Sequence, residues 1–554
     1  PPHQDAPAPE PHPELKPLVE DIITLLNSGK LQDALPKADD LLQGAQARGD
    51  KIGEAYALRL RALALQEMRQ TAPDQLPEVA SVWASALALW REVGDGALQV
   101  EALLGQAYCV WRASPEQAQA LLQDALQLAK GEVKRPLTLA RVLNNAGVDW
   151  GTIGQLGFAE ELFQQVLSLY ETLAPNSLQV AQTLNNLAAV AKDRGDLERA
   201  EQYYQRALSL YETLAPNSLR MAITLNNLGV VAKDRGDLTR AEHLYEQALT
   251  LYEAVVPNSL YVATTLNNLG IVAMDRGDLS RAEHLYQQAL AISKKVAPNS
   301  LQVASTLRNL GVVAYSRGDF PRAQQYYHQS LVVFETLAPN SLEVAITLRN
   351  LGNLNADCGD YMQAELLYLR ALAIFENLAP NSLQVAYTRH NLGVVAKAQG
   401  DLPRAARFLQ QALVIFETLA PNSLEIASVF LNLGVVAFSG GDLVRAEQLY
   451  QKALAISEKL APDSLHEADI LNNLGIVAVE RGDKVRAEEF YQRALAIRKR
   501  LAPESLDVAS TLQNLAHLAR MQKNYPQAQR YLQRALTILE TQRSTIPDPE
   551  TKTA

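Results

Sequence analysis

The chain has 554 residues, 48% of them hydrophobic, and a formal net charge of −10. This acidic balance argues against nonspecific binding to nucleic acid, because contacts to phosphates need clustered Lys and Arg. No run of about 18 apolar residues occurs, so the sequence predicts no membrane span.

The N-terminal part divides into two regions. Residues 1–13 are rich in proline and predict a disordered linker. The sequence does not determine the cellular compartment. It is cytoplasmic, or it is periplasmic or exported if a signal peptide was removed before Pro1. Residues 14–133 read as about three diverged helix pairs, and we interpret them as a capping or specialised region. This region and its border hold all the tryptophans, namely Trp83, Trp90, Trp111 and Trp150.

The rest of the chain is an internal repeat. A proline opens a new unit at 175, 216, 257, 298, 339, 380, 421, 462 and 503, always 41 residues apart. A looser unit at 134–174 precedes them, so ten units cover residues 134–543. A fixed period of this length predicts a repeat architecture. Residues 544–554 are polar and predict a disordered tail.

Each unit contains the helical period twice. In the unit 175–215, apolar residues step by three or four, first from Leu178 to Ala191 and then from Leu197 to Tyr211. We call these segments helix A and helix B, and we name each repeat position by its residue in this unit. Ser177 and Asp196 are expected to cap the two helices, and Gly195 to take the left-handed conformation between them. The predicted fold is therefore all-α, built from antiparallel helix hairpins.

The amino-acid sequence of the hairpin resembles that of a known repeat family. Asn-Leu-Gly in helix A, Gly-Asp-Leu at the turn, and Ala, Tyr and Ala in helix B resemble the tetratricopeptide repeat. The usual repeat has 34 residues, and the 41-residue length is similar to the subtype of kinesin light chains and of bacterial multi-repeat proteins. The resemblance implies a right-handed α-solenoid, or superhelix, whose concave face is lined by the A helices and binds protein segments.

Some repeat positions never change. The Ala200 position is Ala in all ten units, which indicates a close contact between two helices. The Asn186 position is also invariant, although Asn is a mediocre residue inside a helix. It supplies either a packing hydrogen bond or a ladder of amides that grips a peptide backbone, and the family resemblance supports the second use. We count eight of these as candidate peptide-binding residues: Asn186, Asn227, Asn268, Asn309, Asn350, Asn391, Asn432 and Asn473.

Other helix A positions vary most in the middle of the array. The Asn185 position becomes Arg308, Arg349 and His390 in successive units. Arg binds carboxylates bidentately, and aromatic rings stack on guanidinium groups. The groove is therefore expected to bind a segment with an acidic and an apolar residue, unless these arginines pair with acidic residues of the next unit such as Asp357. Three aromatic residues complete the candidate set: Tyr315, Tyr387 and Phe438.

No motif for catalysis or cofactor binding was found. The chain lacks a complete phosphate-binding loop and the HExxH, CxxC and GxSxG motifs. His243 and His284 share a helix B position in adjacent units, but zinc needs three or four ligands, so we expect surface residues. Cys109 and Cys358 lie in distant parts of the chain, which argues against a disulfide framework, and both are expected to be buried or half-buried. The sequence thus predicts no enzyme, cofactor or metal.

Three functions fit these features. The first is a non-catalytic protein–protein interaction scaffold that binds an extended peptide or protein segment in the concave groove. The second is a structural or assembly subunit of a larger complex, and the third is the regulatory arm of a larger signalling protein. The partner and the oligomeric state stay open.

Overall fold

The computed structural model describes residues 5–68, 76–131 and 133–544, and these residues form 26 α-helices. The chain divides into two compact units, Pro1–Ile292 and Ser293–Ala554. Six helices precede the repeat: α1 (Lys16–Asn27), α2 (Leu31–Arg48), α3 (Lys51–Met68), α4 (Leu76–Val93), α5 (Gly96–Val110) and α6 (Pro115–Ala129).

Within the repeat, helices A and B alternate without exception, which confirms the predicted all-α hairpin fold. The A helices are α7 (Pro136–Thr152), α9 (Leu178–Asp193), α11 (Leu219–Asp234), α13 (Leu260–Asp275), α15 (Leu301–Ser316), α17 (Leu342–Asp357), α19 (Leu383–Ala398), α21 (Leu424–Ser439), α23 (Leu465–Glu480) and α25 (Leu506–Met521). The B helices are α8 (Leu156–Leu173), α10 (Leu197–Leu214), α12 (Leu238–Val255), α14 (Leu279–Val296), α16 (Phe320–Leu337), α18 (Tyr361–Leu378), α20 (Leu402–Leu419), α22 (Leu443–Leu460), α24 (Lys484–Leu501) and α26 (Tyr525–Ser544).

Helix contacts arrange the A helices side by side. In the unit Ser293–Ala554, each A helix from α15 to α25 packs against the B helix of its own hairpin. Each also contacts the A helix of the following hairpin, from α15 with α17 through to α23 with α25. In the unit Pro1–Ile292, the same contact joins α7 to α9 and α11 to α13. Residues at one repeat position of successive A helices are therefore neighbours.

Local capping explains where the helices begin and end. The Ser177 hydroxyl accepts a hydrogen bond from the Val180 amide, and the Asp196 carboxylate accepts one from the Arg199 amide, 3.1 Å away. Gly195 lies at φ +82°, in the left-handed region that a glycine enters at low cost. These three expectations are confirmed. Ser382 and Ser423 occupy the Ser177 repeat position before α19 and α21, but their side chains make no capping hydrogen bond.

The core of each hairpin depends on small residues in both helices. The Ala200 position is buried in all ten units, as predicted, and nine of its ten alanines are fully inaccessible. In helix A, a Cβ added to Gly229 would lie 2.6 Å from the Tyr245 ring of helix B. The aromatic residues at the Tyr204 position thus pack directly on the backbone of helix A, which holds the two helices in one register.

The N-terminal region makes its own contacts. Asp5 accepts hydrogen bonds from the Leu137 and Thr138 amides at the start of α7, and the carbonyl of Pro9 accepts one from Tyr56. The linker role of residues 1–13 and the relation of residues 14–133 to the repeat stay predictions. Residues 1–4 and 545–554, which include nearly all of the predicted tail, lie outside the described residues.

The two cysteines differ in accessibility. Cys109 is buried, as expected, whereas Cys358 is exposed. The expectation that both would be at least half-buried was therefore wrong for Cys358, because it is the residue that follows the last turn of α17. The thiol of Cys358 faces solvent at the turn between the two helices of its hairpin.

Candidate functional site

The candidate groove residues of the central units lie on four neighbouring A helices, α15, α17, α19 and α21. Arg308, Arg349 and His390 occupy one repeat position of successive helices, and all three are half-buried. Helix contacts join α15 to α17 and α17 to α19. The structure therefore brings these three side chains into one row on the A-helix layer, as the sequence predicted.

Arg308 is neutralised within the chain. Its guanidinium forms an ion pair with Glu343, which lies on α17 in the next unit. The guanidinium carbon also lies 5.5 Å from the centre of the Phe334 ring. The alternative that an arginine of the row pairs with an acidic residue of the next unit thus applies to Arg308. The partner is Glu343 rather than Asp357.

Arg349 has a different environment. Its Nη1 donates to the amide oxygen of Gln384, and its guanidinium carbon lies 5.8 Å and 5.9 Å from the centres of the Phe375 and Tyr387 rings. No carboxylate within the described ranges forms an ion pair with it. Burial lowers the pKa of Arg349, and the charge of Arg308 acts in the same direction. Arg349 is thus a half-buried cation without an anionic partner.

A second cation lies on α19. The Asn432 amide nitrogen donates to Nε2 of His390, 3.2 Å away, and its oxygen accepts from Nζ of Lys397, 2.8 Å away. Burial lowers the pKa of Lys397. Burial also lowers the pKa of His390, and the charge of Lys397 adds to that shift. Lys397, like Arg349, makes no ion pair with any carboxylate in the part of the chain that is described.

The candidate asparagines connect neighbouring units. Asn186 donates from Nδ2 to Oδ1 of Asn144, 3.1 Å away, and Asn268 donates to Asn226, 3.3 Å away. In the C-terminal compact unit, Asn432 makes the matching bond to His390. These bonds support the packing role for the ladder, while the peptide-gripping role stays a prediction. The remaining candidate asparagines are half-buried at the same repeat position: Asn227, Asn309, Asn350, Asn391 and Asn473.

The aromatic candidates line the same helices with different partners. The Tyr315 hydroxyl donates to Asp357, and burial together with this bond raises the pKa of Tyr315 to about 12. The Tyr387 hydroxyl donates to Glu425, 2.8 Å away, and the Tyr387 ring lies next to Arg349. Phe438 is half-buried and packs against a core cluster that α21, α22 and α23 form together. Of the three, only Tyr387 contacts a residue of the basic row.

Sequence reasoning missed several residues that shape this site. Glu343, Gln384 and Glu425 share the Gln179 repeat position of helix A, about two turns before the asparagine positions. Glu343 neutralises Arg308, Gln384 gives Arg349 a neutral partner, and Glu425 accepts a hydrogen bond from Tyr387. A comparison of this position between units would have shown that Glu alternates with Gln where the row becomes basic. Lys397 lies at the Lys192 repeat position of helix A, and its residue type alone does not reveal that it lacks an acidic partner.

Neither a metal site nor a membrane-spanning helix is found among the described residues. Among the described residues, no group of three or more His, Cys, Asp and Glu side chains could hold a metal ion. His243 and His284 are exposed, which confirms that they are surface residues. Within the described ranges, no helix combines the length and the apolar character needed to cross a membrane.

Comparisons with known proteins identify the repeat. The family model described as "Tetratricopeptide repeat" matches residues 138–213, 179–254, 219–295, 261–336, 343–418, 425–500 and 486–541. Together these matches cover well over half of the chain. No curated protein matches the chain in sequence.

Two solved structures resemble it in part. BtubC (BKLC) from P. vanneervenii has 22% sequence identity and a TM-score of 0.33, with 44% of this chain and 90% of that chain covered. The apo form of RapI has 17% identity and a TM-score of 0.42, with 51% of this chain and 99% of that chain covered.

Proposed function

The chain belongs to the tetratricopeptide repeat family, and we propose that it is a non-catalytic scaffold that binds an extended segment of a partner protein along its A helices. The site we favour lies on α17, α19 and α21, around the basic row. Neither nucleic acid nor a membrane is part of this proposal, since the ligand chemistry is that of a protein segment with an acidic residue.

The observation that carries the proposal is the pair of unneutralised cations, Arg349 and Lys397. A half-buried charge without an ion partner is costly, because desolvation disfavours the charged form. Elsewhere in the repeat, arginines are matched by glutamates of adjacent units, as Arg235 and Arg240 are by Glu201. An acidic side chain of a bound segment would supply the missing anion and form charge-assisted hydrogen bonds.

The surroundings of Arg349 favour an apolar residue beside that acid. The Tyr387 ring lies next to the guanidinium and is only half-buried, so part of it stays open to a ligand. Aromatic faces pack against apolar side chains with a large area of contact. A segment that presents one acidic and one apolar residue would match these two features.

The asparagine ladder supports an extended backbone conformation for the ligand. A side-chain amide offers two N–H donors and two acceptor lone pairs. Asn391 donates to Asn353, 2.9 Å away, and also has hydrogen-bonding interactions with Tyr368 and His390. A peptide backbone that runs across successive A helices would exchange hydrogen bonds with amides of this kind.

A selection experiment tests the proposal. A displayed library of random peptides would be selected against the full-length chain and against a variant with Arg349→Glu and Lys397→Glu. A matched control carries Arg220→Glu and Lys233→Glu, which changes the net charge equally on a different A helix. Circular dichroism would check that all three proteins are equally helical.

The proposal expects peptides enriched in an acidic residue next to an apolar one. Their affinity for the Arg349→Glu, Lys397→Glu variant should fall at least about tenfold, the effect of losing a charge-assisted hydrogen bond. The control variant should bind like the wild type. Equal binding to all three proteins, or enrichment without acidic residues, would overturn the proposal.

A further inference from the structure

The outward face of α18 carries three exposed apolar side chains. Met362, Leu366 and Leu369 are 80%, 53% and 39% exposed, and their spacing of four and three residues aligns them along one side of the helix. We call these three residues the outer stripe. They lie in helix B, outside the row of groove residues on the A helices.

The outer stripe differs from the residues found at the same repeat positions of the other units. At the Leu366 repeat position, the other nine units carry only Glu, Gln, His or Arg. At the Leu369 position they carry only Gln, Glu or His. Packing of the hairpin therefore does not require an apolar residue at either position. One unit of ten exposes two leucines where the repeat otherwise places polar groups in water.

Flanking helices extend the apolar surface. The exposed ion pair of Arg370 with Glu335, 2.8 Å apart, joins α18 to α16, and the pair of Arg404 with Glu365 joins α20 to α18. The three outward faces are therefore adjacent. Each flanking face adds an exposed valine, Val332 on α16 and Val414 on α20, both 63% exposed. Each also begins with an exposed proline: Pro321 on α16 and Pro403 on α20.

The apolar line of α18 and the corresponding lines of α16 and α20 carry little charge, and the two ion pairs that join the three helices are each internally balanced. The outward line of α18 continues from the stripe to Ala373 and contains no ionisable side chain. Among the corresponding positions of α16 and α20, only Arg407 is permanently charged, and its guanidinium lies 5.5 Å from the Phe408 ring. In a chain of net charge −10, two copies meet with the least repulsion at such a face.

We propose that the outer stripe is a self-association surface, at which α18 of one copy packs antiparallel on α18 of a second copy. A two-fold arrangement brings the same patch of both copies together. Centred between residues 367 and 368, it sets Leu366 opposite Leu369 and Met362 opposite the small Ala373. Every apolar residue of the line then meets an apolar partner.

The flanking helices fit the same register. With α18 paired in this way, Pro321 of α16 falls opposite Val332, and Pro403 of α20 falls opposite Val414. A stable interface needs about 800 Å² from each partner, and one helix face alone supplies less than that. Three adjacent helix faces, each of 18 residues and roughly 27 Å long, offer a larger contact area than one face.

Sedimentation velocity on the full-length chain is the first test. Over a series from about 1 to 100 μM, a range suited to moderate association, the wild-type sedimentation coefficient should rise toward that of a dimer. The variant Leu366→Gln, Leu369→Gln adopts the residues of other units and should stay monomeric. The control Val444→Gln, Val485→Gln removes two exposed valines from α22 and α24 and should behave like the wild type.

Disulfide trapping tests the register. In a Cys358→Ser background, a mixture of Leu366→Cys and Leu369→Cys chains should form cross-linked dimers faster than either variant alone. A wild-type chain that stays monomeric throughout the series would overturn the proposal. So would unchanged association of the Leu366→Gln, Leu369→Gln variant. Faster cross-linking of Leu366→Cys alone than of the mixture would overturn the antiparallel arrangement.

Discussion

Arg349 donates a hydrogen bond to Gln384 across the same 35-residue step by which Arg308 reaches Glu343. The two arginines occupy one repeat position in adjacent units, yet one meets an amide and the other a carboxylate. This single difference leaves the charge of Arg349 without an anionic partner among the residues that the structure describes.

Replacing the Gln384 amide with a carboxylate should block the proposed binding site. In Gln384→Glu, the new carboxylate would neutralise Arg349 and compete with an acidic residue of the ligand. Affinity for the selected acidic peptides should fall about tenfold, as measured by fluorescence anisotropy, while the melting temperature should not fall. Gln302→Glu, the same change one unit before Glu343, is the control and should leave the affinity unchanged.

Asp149 should make the N-terminal part of the array less stable as the pH rises. Burial, with a contribution from the charge of Glu67, raises the pKa of Asp149 to about 6. A carboxyl group whose folded-state pKa lies above its usual 3.8 stabilises the fold at low pH, and this contribution is lost as the pH rises through 6.

The variant Asp149→Asn should therefore melt at a higher temperature than the wild type at pH 7. The two melting temperatures should converge near pH 4. The measurement is thermal unfolding by circular dichroism in a pH series. A constant difference between the two proteins across that range would contradict the assignment.

His390 should have the opposite pH dependence. Burial lowers its pKa below 6.5, and the charge of Lys397 acts in the same direction. Between that lowered pKa and 6.5 the unfolded chain binds the proton more readily, so stability falls as the pH drops. His390→Asn places there the residue found in five other units.

The loss of melting temperature between pH 7.5 and pH 5.5 should thus be smaller in His390→Asn than in the wild type. These two pH values bracket the usual pKa of histidine, about 6.5. His466, whose pKa burial also lowers, contributes equally to both proteins. Identical pH profiles would show that His390 titrates normally.

Ala323 tests the packing of the hairpins. It is fully buried between helices, and overpacking a core position costs about 1–3 kcal/mol or more. Because each unit contacts only its neighbours, Ala323→Trp should raise hydrogen exchange first around residues 298–379. Exchange measured by mass spectrometry at the distant units serves as the internal control. Unchanged protection around Ala323 would contradict the contact assignment.

Much of the fold could be predicted because its signals are local. Ser177, Asp196 and Gly195 act within a few residues of their own helix ends, so their types and spacing reveal the hairpin directly. The invariant Ala200 position likewise marks the contact between two helices.

The partners of the groove residues could not be predicted in the same way. They depend on the stagger between successive A helices, which sets whether Arg308 meets Glu343 or Asp357. A comparison of repeat positions identifies residues that vary but does not state which of them touch. The neutral Gln384 was therefore overlooked, although it determines the charge of the site.

The most direct test of the central claim is a charge-exchange cycle between Arg349 and the acidic residue of a selected peptide. Four dissociation constants would be measured: wild type and Arg349→Glu, each with the peptide and with a version carrying Lys in place of its acid. The proposed contact predicts that each single change weakens binding and that the two changes together restore much of it. Two losses that simply add would contradict a contact between Arg349 and the ligand.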